Sequence, residues 1–131
     1  MTAALADTSF FVGLETARPL RVDLVPEEVF VSVITVAELQ AGVLAAATTE
    51  QRARRLDTLS QAALIDPLEV DARAAHEWAR LCVALAEAGR RINVNDLWIA
   101  SVAVAHGLPV ITQDDDFDAL AQLGLLEVIK L

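Results

Sequence analysis

Between Leu97 and Ala105 only Ser101 is polar. A segment of that length, preceded by Asp96 and followed by Gly107, reads as a helix. A helix apolar around nearly its whole circumference must be covered on more than one side, by a sheet and by another layer. The rest of the chain has to supply those covers.

It does so with short strand-like and longer helix-like pieces in alternation. Ala3 to Ala6 reads as a strand that stops at Asp7, and a helix is expected to start near Thr8 or Ser9. Phe30 to Ile34, rich in β-branched residues, reads as a second strand or an extended entry. Thr35 then opens a helix through a T-V-A-E capping box, with Gly42 placed to end it. Glu50 to Leu64 reads as a helix broken at Ile65, Asp66 and Pro67, and Leu68 to Val70 as a short strand. Asp71 is an expected N-cap for a helix reaching Gly89, with Ala74, Ala75, Trp78, Leu81, Cys82 and Leu85 on its apolar face. On the polar face, Arg73–Glu77 and Glu77–Arg80 have pairing distances. Leu108 to Thr112 reads as a buried strand, Phe117 to Leu123 as a short helix and Glu127 to Leu131 as an edge strand. The alternation specifies an α/β fold with a mostly parallel sheet and helices on both faces.

With 131 residues, 55% of them hydrophobic, the chain is expected to form a single domain over 1–131 with a core that needs no disulfides. Disordered, collagen-like and repeat compositions are excluded. One cysteine, Cys82, excludes a disulfide framework or a multi-cysteine zinc site and suits a reducing compartment. No apolar run reaches the ~18 residues of a membrane span. Met1 to Leu5 lacks the basic start of a signal peptide, so a cytoplasmic protein is expected.

The formal charge of −9 opposes binding to phosphate-rich partners unless basic residues cluster or a cation intervenes. Nine of the ten basic residues are arginine, grouped mainly as Arg18 with Arg21, Arg52 with Arg54 and Arg55, and Arg90 with Arg91. Each group alone reads as a solvated surface. The acids are arranged less evenly. Asp7 follows the first strand, Asp96 heads the buried helix, Asp114 follows V-I-T, and Glu38 lies in the first turn of its helix. In a parallel sheet Asp7 and Asp114 fall on one edge, beyond the carboxyl ends of the strands, where open α/β sheets bind their ligands.

Each acid has a structural explanation. Asp7 can cap a helix, Glu38 can complete the box with Thr35, and Asp96 can sit at a helix's positive end. Together they require a coincidence, and Asp114, Asp115, Asp116 and Asp118 exceed what capping needs. Converging carboxylates need a cation, and hard Mg²⁺ or Mn²⁺ suits oxygen donors. His76 and His106 are far apart and offer no softer site.

A-D-T-S-F-F at Ala6 to Phe11, S-V-I-T-V-A-E-L-Q-A-G at Ser32 to Gly42, N-D-L-W-I-A at Asn95 to Ala100 and V-I-T-Q-D-D-D-F at Val110 to Phe117 occur in that order. These four blocks resemble the motifs of PIN-domain ribonucleases and, more narrowly, of VapC toxins from type II toxin–antitoxin pairs. The resemblance covers essentially the whole chain. It implies an α/β/α sandwich and a carboxylate set of Asp7, Glu38, Asp96 and Asp114 around Mg²⁺ or Mn²⁺, with Asp116 as an additional or substitute ligand. Ser9 and Thr112 match positions that hold the ligands, or water beside the cation. Gln113 departs from the pattern, since relatives often carry a basic residue there.

The implied reaction is metal-dependent hydrolysis of RNA, the cation activating water and neutralising phosphoryl charge. Arg90 and Arg91 are the first candidates for a basic rim that meets RNA, and Arg52 to Arg55, with Arg52 and Arg55 foremost, the second. With no Tyr and few other aromatics, base stacking is not expected to dominate recognition. The implied partners are RNA, a second copy in a homodimer, and a VapB-type antitoxin lying across the site. Leu39, Val43, Leu44 and Ala45 are candidate anchors for that antitoxin, or ordinary core residues. A competing reading is a PIN-like RNA- or protein-binding module with little catalysis. Aspartate-phosphorylating folds fit poorly: position 9 is Ser rather than a second Asp, and the only lysine is Lys130.

Overall fold

The computed structural model describes residues 2–131; Met1, the first residue of the segment read for a leader, lies outside the described residues. Four strands form one parallel sheet: β1 Ala3–Ala6, β2 Glu28–Phe30, β3 Val110–Thr112 and β4 Val128–Lys130, in the order β2-β1-β3-β4. Leu5 is in register with Phe30 on one side and Val110 on the other, and Ile111 with Ile129. Among the described residues there are also six α-helices, α1 Thr8–Glu15, α2 Val33–Leu44, α3 Thr49–Ala62, α4 Ala72–Glu87, α5 Val94–Ala105 and α6 Asp118–Gln122, and one turn of 3-10 helix at Val22–Leu24.

Alternation along the central strands divides the interior in two. Ala4, Ala6 and Ile111 pack with Phe10, Phe11, Leu39, Val43, Leu59 and Ala62 from α1, α2 and α3. Leu5 and Val110 pack instead with Leu81, Leu85, Ile99, Val102, Phe117 and Leu120 on the α4, α5 and α6 side. The three-layer arrangement expected from Leu97 to Ala105 follows: Ile99, Ala100, Val102 and Ala103 are wholly buried, with α4 packed along α5.

Several boundaries differ from the sequence reading. The second strand ends at Phe30, and Val33 and Ile34 open α2 because the Ser32 hydroxyl, not Thr35, caps it by accepting the Thr35 N–H at 3.3 Å. Thr35 is buried inside the helix, which passes through Gly42 to Leu44. Leu68 to Val70 is no strand: Leu68 makes only an isolated parallel bridge to Ser32. The fifth helix starts three residues before Leu97, capped by the Asn93 side chain. Arg73 does not pair with Glu77; it donates to the Ala105 carbonyl at the end of α5, while Glu77 pairs with Arg80 at 2.7 Å. Asp71 caps α4 as expected, accepting from the Ala74 N–H at 2.9 Å.

Ser32→Ala is expected to lower stability by about 1 kcal/mol, the usual worth of a lost N-cap, read from the denaturant midpoint. An unchanged midpoint would return the cap to Thr35.

Candidate active site

All four strands point the same way, so β1 and β3 deliver Asp7 and Asp114 to one edge of the sheet. The N-termini of α1 and α2 open there too, and the first turn of α5 adds Asp96. The result is a cleft of about 340 Å³ lined by Asp7, Thr8, Ser9, Val12, Arg18, Glu38, Asn93, Asp96, Asp114 and Asp116. The quartet and Asp116 are thus brought together from segments more than a hundred residues apart.

Asp7 is the most deeply set, 3% exposed. It caps α1, accepting from the Phe10 N–H at 3.2 Å, so the structural explanation of this residue holds beside the chemical one. Its carboxylate also accepts from Ser9 Oγ at 2.8 Å and from Thr112 Oγ1 at 2.7 Å. Those hydroxyls are themselves held. Ser9 Oγ accepts the Gln113 N–H at 2.9 Å, and Thr112 Oγ1 accepts the Asp114 N–H at 3.0 Å. Burial raises the Asp7 pKa to about 6, although the hydrogen bonds from Thr112, Ser9 and Phe10 oppose it.

Glu38 does not form a capping box. Its Oε1 accepts from Thr8 Oγ1 at 2.6 Å and its Oε2 from Asn95 Nδ2 at 3.4 Å, which turn the side chain toward the cleft. Burial first, then the charges of Asp116, Glu38, Asp7 and Asp114, push the Asp96 pKa to about 7. Asp114 is raised as well by burial and by Asp116, with Arg18 pulling the other way. The acidic loop splits by function: Asp114 and Asp116 face the cleft, while Asp115 and Asp118 pair with Lys130 on β4.

Among the described residues no three Asp, Glu, His or Cys side chains are gathered tightly enough to hold a metal ion as they stand. The donor chemistry nevertheless fits a hard divalent cation: the acidic cleft offers carboxylate and hydroxyl oxygens with no His or Cys among its lining residues, and burial disfavours the charged forms of two of the carboxyls, with neighbouring acids adding to this at Asp96.

Of the expected basic rim, neither Arg90 and Arg91 nor Arg52 and Arg55 line the acidic cleft itself. Arg90 and Arg91 line a separate depression with Cys82, Leu85 and Val94, sharing only Asn93 with the acidic cleft, and Arg90 donates to Gln122. Arg52 donates to the Ala46 carbonyl, and Arg55 to the Gly42 carbonyl at 2.7 Å. Arg54 and Arg55 line a groove of about 380 Å³ that continues from Thr8 and Glu38 along α1, α2 and α3. Of the candidate anchors, Leu39 borders that groove yet is buried with Val43 in the core, whereas Leu44 and Ala45 are exposed. The cation that does line the cleft, Arg18, was not singled out by its sequence position, and neither were Thr8 and Asn95, which orient Glu38.

Comparison with known proteins bears on this arrangement. The family model described as the PIN domain matches residues 4–123. The chain is 53% identical to Ribonuclease VapC5 of Mycobacterium tuberculosis over 129 residues, 98% of this chain and 96% of that protein. It is 42% identical to Ribonuclease VapC4 of the same organism, over 95% of this chain and 96% of the other. The fold superposes with a TM-score of 0.93 and 50% identity, over 100% of both chains, on a crystal structure of VapBC-5 from M. tuberculosis, a member of the VapBC family of toxin–antitoxin systems.

Proposed function

The chain belongs to the PIN-domain family, and from that premise we propose that it is a metal-dependent endoribonuclease, the VapC-type toxin of a type II toxin–antitoxin pair. The observation that carries the reading is the convergence of Asp7, Glu38, Asp96, Asp114 and Asp116 on one cleft at the carboxyl edge of a parallel sheet. Relatives that carry the name ribonuclease support the chemistry, and the VapBC complex supports a VapB-type antitoxin as partner.

Asp7, Asp96, Asp114 and Asp116 are the proposed ligands of Mg²⁺ or Mn²⁺, with Glu38 completing the catalytic set. When bound, such a cation supplies a Lewis acid that neutralises phosphoryl charge and makes water a nucleophile near neutral pH. The chain's own residues do the rest. Ser9 and Thr112 fix the Asp7 carboxylate by donating to both of its oxygens, and Thr8 fixes Glu38. These second contacts matter because a ligand held at the right angle loses little freedom on binding. The neighbouring groove, with Arg54 and Arg55 at its wall beside Val12 and Leu39, suits an amphipathic antitoxin segment.

Cleavage of purified total RNA by the antitoxin-free protein, with Mg²⁺ or Mn²⁺ and with EDTA, tests the reading. Discrete cuts that appear with metal and vanish with chelator are expected. Intact RNA under all conditions, from folded protein, overturns it in favour of a binding module.

A further inference from the structure

Among the described residues Arg18 is the single cationic side chain lining the acidic cleft, and unusual backbone geometry puts it there. The helix α1 ends in a turn at Ala17, whose φ of 54° makes it the one non-glycine residue among those described in the left-handed region. That conformation costs an L-residue about 1–2 kcal/mol, so it persists only where neighbours impose it. Two bonds do so here: Ala17 N–H donates to the Leu14 carbonyl at 3.3 Å and Arg18 N–H to the Gly13 carbonyl at 2.9 Å. This is the paired 5→2 and 6→1 closure of a helix C-terminus, made without the usual glycine.

The acidic loop grips the same turn from the other side. Gln113, between Thr112 and Asp114, donates from Nε2 to the Pro19 carbonyl at 3.0 Å. Its amide lies against Gly13, where an added Cβ would stand 2.5 Å from Oε1 and 3.1 Å from Cδ. A Cβ at Gly13 would therefore push the end of the Gln113 side chain out of the space it occupies. Arg18 sits between the two gripped residues, on a segment tied to the strand that delivers Asp114.

A guanidinium beside carboxylates that also attract a metal is repelled once the metal binds, so a counter-ion role alone makes poor use of it. The missing anion is the substrate's phosphate, which the negative cleft would otherwise repel. A guanidinium meets phosphate oxygens with two parallel N–H donors, which suits it to this task better than a lysine. Resting on the ribonuclease reading, we propose that Arg18 binds the non-bridging oxygens of an RNA backbone phosphate at the mouth of the cleft. The Gln113–Gly13 contact is the positioning device that holds it there.

The test uses the full chain with Arg18→Ala, Arg18→Lys and Gly13→Ala. Cleavage of total RNA is followed with Mg²⁺, RNA binding is measured against salt in an Asp96→Asn background, and Mg²⁺ affinity is measured by calorimetry without RNA. Arg18→Ala is expected to lose about tenfold in RNA affinity and about 0.7 in the slope of log affinity against log salt, with Mg²⁺ affinity unchanged or tighter. Arg18→Lys recovers the salt slope and only part of the cleavage rate. Gly13→Ala, which dislodges Gln113, keeps the salt slope and slows cleavage. Unchanged RNA affinity and slope in Arg18→Ala overturn the proposal, as does a loss confined to Mg²⁺ affinity, which makes Arg18 a counter-ion. If the wild-type protein leaves RNA intact, the ribonuclease reading fails, and the binding measurements still decide whether Arg18 holds phosphate.

Discussion

Asp7→Asn and Asp96→Asn are each expected to lower metal-dependent RNA cleavage by at least about a hundredfold, since losing even a ligand's supporting contact typically costs 10–100-fold. Neither should unfold the protein. Asparagine caps helices as well as aspartate does, so its side-chain oxygen can keep the Phe10 N–H and the Ser9 hydroxyl that Asp7 now accepts. The amide NH₂ then faces Thr112 Oγ1, which can accept from it and turn its own proton to Ser9 Oγ, 3.1 Å away. At position 96 the substitution removes a charge that Asp116, Glu38, Asp7 and Asp114 all repel. Single-turnover cleavage and thermal melts in EDTA give the two readouts. Full activity in both variants would sink the site assignment, and loss of the folded transition would mean that these carboxylates are structural.

What the sequence disclosed, and what it hid, follows from the range of the interactions. Ala3–Ala6, the buried α5 and the Asp71 cap were legible because periodicity and a capping oxygen act within a few residues. The start of α2 was not, because Val33 and Ile34 have strand-forming side chains and only the Ser32 hydroxyl, bridged at its backbone to Leu68, turns them into a helix. Asp7 and Asp114 could be set on one edge from strand ends alone. Glu38 reads from the sequence both as a capping residue and as a member of the acidic set, whereas Thr8 and Asn95, which orient it, come from other segments and carry no local signal. Arg18 was the hardest to find, for its orientation depends on a left-handed alanine with no glycine to announce it and on Gln113, whose partner Pro19 is 94 residues away in the chain. Arg90 and Arg91, adjacent in sequence to the Asp96 block, were turned into another depression by the end of α4.

Without metal, the protein is expected to become less stable as pH rises from 5 to 7.5, the reverse of the usual carboxylate behaviour. The reason lies in the raised native pKa values of about 6 for Asp7 and about 7 for Asp96, against 3.8 for the unreacted side chain. Between those limits the native state holds protons that the unfolded chain has released, so the unfolding free energy falls with increasing pH. The stabilisation is complete below the unfolded value and is gone once pH passes the folded one. For the buried Asp7 alone, its shift from 3.8 to about 6 corresponds to roughly 2–3 kcal/mol. Asp96 and Asp114 act in the same direction with smaller weight, because water reaches them. Asp23 and Asp71, whose pKa values are lowered, exert their opposite effect below the chosen window. A divalent cation requires the same groups deprotonated, and at a hundred times its dissociation constant it adds about 2.7 kcal/mol. Melting curves from pH 5 to 7.5 should therefore slope downward in EDTA and upward in saturating Mg²⁺, and Asp96→Asn should flatten both. An EDTA profile that is level or rises across this range would show that the cleft carries no electrostatic strain for a metal to relieve.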